Sequence, residues 1–121
     1  MRREIDYSLA RRAVLRDYER GALARPDVCD AHPELLRAAR NLGTDCDAVC
    51  PICGADETLR RVSYVYGDGA KSPNGRVANP EELRKLGRRY DELRCYDVEV
   101  CLECSWNYMV RTYFVGRRLT G

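Results

Sequence analysis

Seven cysteines in 121 residues hold most of the chemistry this chain can do, and four of them repeat a spacing. Cys50-Pro51-Ile52-Cys53 and Cys101-Leu102-Glu103-Cys104 each place two residues between two thiols, a turn short enough to bring both sulfurs to one ion. Four thiolates about 2.3 Å from Zn²⁺ make a closed tetrahedral structural site with no open position for water or substrate. Pro51 presets φ just after Cys50, and Gly54 supplies positive φ as the chain leaves the turn. In the second pair Ser105 stands where glycine is easier, and Trp106 follows as an apolar lid. The expected ligands are Cys50, Cys53, Cys101 and Cys104 around one structural Zn²⁺. The competing chemistry is a redox dithiol, which belongs at the strand-to-helix turn of a βαβ unit. Here strand-like runs follow both pairs.

The remaining cysteines are less committed. Cys29 and His32 stand three residues apart; as ligands they need two more partners, and as nucleophile and base they need a pocket and an orienting group. The plainer reading is a small buried cysteine beside a histidine that caps a helix beginning at Pro33. Cys46 precedes the first pair in a polar loop and competes with Cys50 for a place in the ligand set. Cys95 falls on the strand face opposite the core residues and is left spare.

The elements that must position these groups follow from periodicity. Tyr7, Ala10, Val14 and Tyr18 recur at helical spacing from Asp6 to about Arg20, with Asp6 or Ser8 as cap and Gly21 as stop. A short helix over 25–31 and a second over 33–42, ended by Gly43, complete a helical amino-terminal segment, 1–44. Alternation of apolar and polar residues predicts strands over 59–66, 95–100 and 107–115. The 47 residues between Cys53 and Cys101 exceed the about 15–20 of a compact zinc motif, so 67–94 reads as an insertion. It holds a flexible tip over 67–79 and a helix over 80–93, opened by Asn79-Pro80-Glu81-Glu82. The expected fold is α+β: short amino-terminal helices followed by a three-stranded antiparallel zinc ribbon, 45–121, with a helical insertion.

Composition bounds the function. Net charge is +2, from 21 basic and 19 acidic residues, short of the excess of a dedicated nucleic-acid binder. No apolar run reaches membrane length, and residues 1–20 are too charged for a secretory h-region. Metal-like cysteine spacing points to a reducing cytoplasm. Arg2, Arg3, Arg11, Arg12, Arg16 and Arg20 make one side of the first helix cationic; Arg11 and Arg12 there, and Arg84, Arg88 and Arg89 on the later helix, are the candidate contact residues for an acidic protein or nucleic acid, although a solvated face needs no partner. Tyr64, Tyr66, Tyr96, Tyr108 and Tyr113 lie on predicted strands, where aromatics either stack unpaired bases or simply pack.

Asp6-Tyr7-Ser8-Leu9-Ala10-Arg11-Arg12, Val28-Cys29-Asp30-Ala31-His32-Pro33, Tyr64-Val65-Tyr66-Gly67-Asp68 and Val98-Glu99-Val100-Cys101 with Trp106-Asn107 resemble an actinobacterial family of short proteins classed as a domain of unknown function. The resemblance spans nearly the whole chain. Members carry Cys-Pro-x-Cys and Cys-x-x-Cys-Gly-Trp-Asn, matching Cys50, Cys53, Cys101, Cys104, Trp106 and Asn107; Ser105 departs from the family glycine and strains the turn. The resemblance implies fold and an intracellular setting, with no activity to carry over.

The function expected from these residues is a non-enzymatic zinc-ribbon adaptor that docks on RNA polymerase or the ribosome, by analogy among ribbons. The alternative is a single-stranded nucleic-acid-binding protein. No catalytic residues are assigned: one histidine, no nucleotide loop and no carboxylate pair in a recognisable frame argue against an enzyme.

Overall fold

The chain runs β1 (Glu4–Asp6), α1 (Ser8–Glu19), α2 (Arg25–Val28), α3 (Pro33–Leu42), β2 (Thr44–Asp45), β3 (Leu59–Gly67), β4 (Asn74–Val77), α4 (Pro80–Arg89), β5 (Leu93–Cys101), β6 (Asn107–Val115) and a short 3₁₀ turn (Arg117–Leu119). This computed structural model describes residues 4–119; Arg2 and Arg3 lie outside them. The helix starts follow local chemistry. Asp6 Oδ1 accepts the Ser8 N–H at 2.7 Å at the head of α1, and His32 Nδ1 accepts the Glu34 N–H at 3.1 Å at the head of α3. At α4, Asn79 Oδ1 accepts the Glu82 N–H at 2.8 Å while Glu82 reaches back to the Asn79 N–H, a reciprocal cap of the kind worth about 1 kcal/mol.

The expected three-stranded ribbon is larger: six antiparallel strands form one sheet, ordered β1-β6-β5-β3-β2, with β4 added on β3. The three expected strands are its centre, β5 pairing β3 from Leu59↔Cys101 to Gly67↔Leu93 and β6 from Leu93↔Val115 to Val100↔Asn107. The additions come from segments read otherwise. β1 pairs β6 at Glu4↔Tyr113, β2 spans the expected boundary at 44/45 and pairs β3, and β4 lies in the expected flexible tip. α4 ends at Arg89, where the Tyr90 N–H still reaches the Leu86 carbonyl at 3.0 Å. Leu93, expected on that helix, begins β5 and is 1% exposed.

Both faces of the sheet are covered, by different helices. On one face α4 packs Leu83 and Leu86 on Val65, Leu93, Cys95 and Tyr113. At the other end of that face α1 and α2 bring Val14, Leu15, Tyr18 and Val28 against Leu59, Cys101 and Trp106. The opposite face carries α3, whose Leu35, Leu36 and Ala39 meet Val62 and Val100. Cys95, expected on an open face, is therefore fully buried. The reason is that α4, the helix just before β5, packs Leu83 and Leu86 onto the very face that polar alternation marked as exposed.

Between the two ends of the first face lies a buried charged layer. Asp97 is 1% exposed and Glu99 5%. Asp97 accepts bonds from Arg111 Nε at 2.7 Å, Ser63 Oγ at 2.7 Å and Tyr113 Oη at 3.2 Å. Glu99 takes both Arg11 Nε and Nη2, at 2.8 and 2.9 Å, and the Trp106 indole N–H at 2.8 Å. Burial, followed by the Asp97 charge, pushes the Tyr113 phenol well up. Every acid here has its cation, which is the condition under which buried charges are tolerated.

Candidate metal centre

The two Cys-x-x-Cys turns are built by the same backbone hydrogen bonds, repeated. In the first, the Ile52 N–H donates to Cys50 Sγ at 3.4 Å, the Gly54 N–H to the Cys50 carbonyl at 2.9 Å and the Cys50 N–H to the Ala55 carbonyl at 3.1 Å. In the second, the Glu103 N–H donates to Cys101 Sγ at 3.4 Å, the Ser105 N–H to the Cys101 carbonyl at 3.0 Å and the Cys101 N–H to the Trp106 carbonyl at 2.8 Å. Gly54 and Ser105 consequently occupy equivalent positions, with φ of +72° and +71°. For serine that conformation costs roughly 1–2 kcal/mol that glycine avoids. The departure at 105 keeps the turn and strains it.

Pairing of β3 with β5 brings the two turns together. All four sulfurs of Cys50, Cys53, Cys101 and Cys104 lie within 4.8 Å of one another. Cys50 and Cys104 are 3.7 Å apart, as are Cys53 and Cys101. Four sulfurs about 2.3 Å from one ion at tetrahedral corners stand about 3.8 Å apart; the two 3.7 Å pairs match that separation, and the four thiols could hold such an ion. Cys50 and Cys101 are buried, Cys53 and Cys104 half-buried, and Leu59, Trp106 and Val28 pack in one cluster with them. Trp106 takes the lid position expected of it, stacked on Tyr108 at 6.0 Å.

Hydrogen bonding sets the thiols apart from one another. Burial alone would push the Cys101 thiol up; bonds from the Thr58 hydroxyl at 3.2 Å and from the Cys104 and Glu103 N–H groups outweigh it and bring it down to about 7. Burial is the leading cause at Cys50, Cys53 and Cys104, and all three are raised. A bound cation reverses that preference, because a coordinating thiol is deprotonated outright.

Other sequence candidates fall into place around this set. Cys46 packs against the cluster's wall without joining the four. His32 is the α3 cap rather than a partner of Cys29. Cys29 instead approaches the four-cysteine cluster, its Sγ 3.6 Å from Cys104 Sγ. Among the arginines, Arg11 is committed to Glu99, whereas Arg12, Arg84, Arg88 and Arg89 are exposed. Arg84 and Arg88 border a groove of about 480 Å³ between α4 and β6, floored by Leu83, Phe114 and Val115. Arg89 lies over the Tyr90 ring.

The paired acids Asp97 and Glu99 were not singled out by sequence reasoning; two acids at i and i+2 on a strand resemble a solvated face. A surface cluster of Tyr64, Tyr66, Tyr96 and Arg94 also emerges, lining a concavity of about 290 Å³. Its tyrosines come from two strands, β3 and β5, and the register Tyr64↔Tyr96 brings them together.

The chain is similar to uncharacterized proteins of Mycobacterium tuberculosis and Mycobacterium bovis, 41% identical over 112 residues that cover 93% of this chain and 81% of each relative. No solved structure matches it. The family of unknown function DUF5318 matches residues 1–120, and the chain belongs to that family.

Proposed function

We propose that this protein is a non-enzymatic zinc-ribbon adaptor of the cytoplasm, in which one structural Zn²⁺ on Cys50, Cys53, Cys101 and Cys104 holds a binding surface in shape. The observation that carries the metal reading is the pair of equivalent turns with their sulfurs at tetrahedral separations. Four thiolates leave the ion no open position for a substrate. The sole histidine is used as a helix cap, and both buried carboxylates are fully engaged by cations and donors. These facts favour binding over catalysis. For the docking surface, Arg84 and Arg88 have no ion-pair partner among the described residues and stand beside an apolar groove, an arrangement suited to an acidic protein segment with an apolar anchor. RNA polymerase and the ribosome are the partners that analogy with other ribbons nominates.

The test is recovery of tagged protein from its native lysate, divided into untreated and nuclease-treated halves and read by mass spectrometry. A polymerase or ribosomal partner that survives nuclease and is lost in Arg84→Glu/Arg88→Glu supports the adaptor. Partners lost on nuclease treatment favour the second reading, single-stranded nucleic-acid binding. That reading has its own observation: the register aligns Ile5, Thr112, Tyr96 and Tyr64 in one row across four strands, with Tyr66 edge-on to Tyr96 at 5.5 Å and Arg94 beside it. Aromatic stacking is worth about 1–3 kcal/mol per base. Binding that weakens steeply with salt and is lost in Tyr96→Ala supports it; salt-insensitive or absent binding rejects it.

A further inference from the structure

A fifth thiol stands against the four. Cys29 closes α2, where its N–H reaches the Arg25 carbonyl at 2.8 Å, and its Sγ lies 3.6 Å from Cys104 Sγ, as close as the sulfurs within the set are to each other. The contact is held in place from both sides. The Ala31 N–H donates to the Ser105 carbonyl at 3.1 Å, and Asn107 Nδ2 donates to Asp30 Oδ1 at 2.9 Å, so residues 29–31 are stapled to the second turn. Cys29, Cys53 and Cys104 are half-buried, whereas Cys50 and Cys101 are closed off. Cys53 lies against the buried Cys101, whereas Cys104 meets the half-buried Cys29, a thiol pair in which one member belongs to the set of four and the other does not.

We propose that Cys29 and Cys104 form an oxidation site through which a peroxide releases the metal. The inference rests on the zinc reading above. The Cys104 thiolate attacks one peroxide oxygen; an S–O bond forms, the O–O bond breaks and hydroxide or alkoxide leaves. The Cys29 sulfur then attacks Cys104, the S–O bond breaks, and the departing hydroxide takes the Cys29 proton as water. Two electrons pass from the two sulfurs to the peroxide. A disulfide remains, and three thiolates are left to hold an ion that requires four. A dithiol reductant returns both electrons, and the set reassembles. The fifth sulfur makes this path reversible, because it captures the oxidised Cys104 before further oxygen is added.

The experiment treats zinc-loaded protein with hydrogen peroxide and follows metal with a chromogenic chelator, while non-reducing peptide mass spectrometry maps sulfur linkages. The wild type is expected to form the Cys29–Cys104 linkage in step with zinc release and to recover its zinc after dithiothreitol. Cys29→Ser is expected to hold one zinc at rest, to lose it under peroxide without forming a disulfide, to accumulate irreversible Cys104 oxidation, and to recover about tenfold less zinc than the wild type after dithiothreitol. Linkage confined to Cys50, Cys53, Cys101 and Cys104, or equal zinc recovery by the two proteins after dithiothreitol, overturns the proposal. Linkage mapping on the wild type decides the matter even if Cys29→Ser fails to fold. Absence of zinc at rest overturns the metal reading itself, whereas zinc at rest without the Cys29–Cys104 linkage overturns this inference alone.

Discussion

Cys95 and Cys101 lie on the same strand and the same face, and neither is exposed to solvent, yet they belong to different chemistries. Cys101 faces three other thiols and takes hydrogen bonds from Thr58 and a turn backbone. Cys95 faces Val65, Leu86, Leu93 and Tyr113 and behaves as a small hydrophobe. Burial is common to both. What separates them is the partner that each strand register and each covering helix delivers. One end of the sheet is closed by sulfur, the other by apolar side chains under α4, and two neutralised acids divide them.

The largest effect expected from that contrast is loss of a metal ligand. Structural zinc contributes roughly 10–16 kcal/mol of apparent folding free energy, against a net stability of about 5–15 kcal/mol for a domain. Cys53→Ser or Cys104→Ser is therefore expected to lose zinc and cooperative unfolding together, measured by metal content and circular dichroism. Cys95→Ser is expected to keep a full complement of zinc and lose about 1–3 kcal/mol, the cost of burying a hydroxyl in an apolar core. Equal damage at the two ends would show that the ligands are misassigned.

The charged layer between the ends comes next. Arg111→Leu leaves Asp97 buried without its cation and is expected to cost about 3 kcal/mol in urea unfolding, as for other broken buried pairs. Zinc content should be unchanged. Replacing Arg12, exposed on α1, is expected to change stability by less than about 0.5 kcal/mol.

The smallest effect compares the two turns themselves. Ser105→Gly relieves the positive φ and is expected to raise stability by about 1 kcal/mol, whereas Gly54→Ala is expected to lower it by a similar amount. Thermal unfolding of the two zinc-loaded variants measures both. A shift of the same sign in both would mean that the turns are not equivalent.

The four-cysteine cluster was legible because each turn is local: two residues of spacing, a proline, a glycine and a following strand are enough to write it. The long strands were legible for the same reason, since nine residues show a period of two. β1 and β2, of three and two residues, are too short to show any period. β4 hides among Pro73, Asn74 and Gly75, which read as turn residues. The misplacement of Cys95, Asp97 and Glu99 has another origin. Glu99 meets Arg11 across 88 positions and Cys29 meets Cys104 across 75, and neither pairing leaves a periodic trace. Polar alternation reported correctly that the face is not uniformly apolar; it had no means of reporting that α4 would cover Cys95 and that arginines would meet Asp97 and Glu99.

X-ray absorption at the metal edge of purified protein, with metal content measured on the same sample, tests the central claim most directly. The account predicts one zinc per chain in a shell of four sulfurs at about 2.3 Å, unchanged in Cys95→Ser and Cys46→Ser. A nitrogen or oxygen neighbour, a different metal, or a shell that loses a sulfur in Cys46→Ser would contradict it.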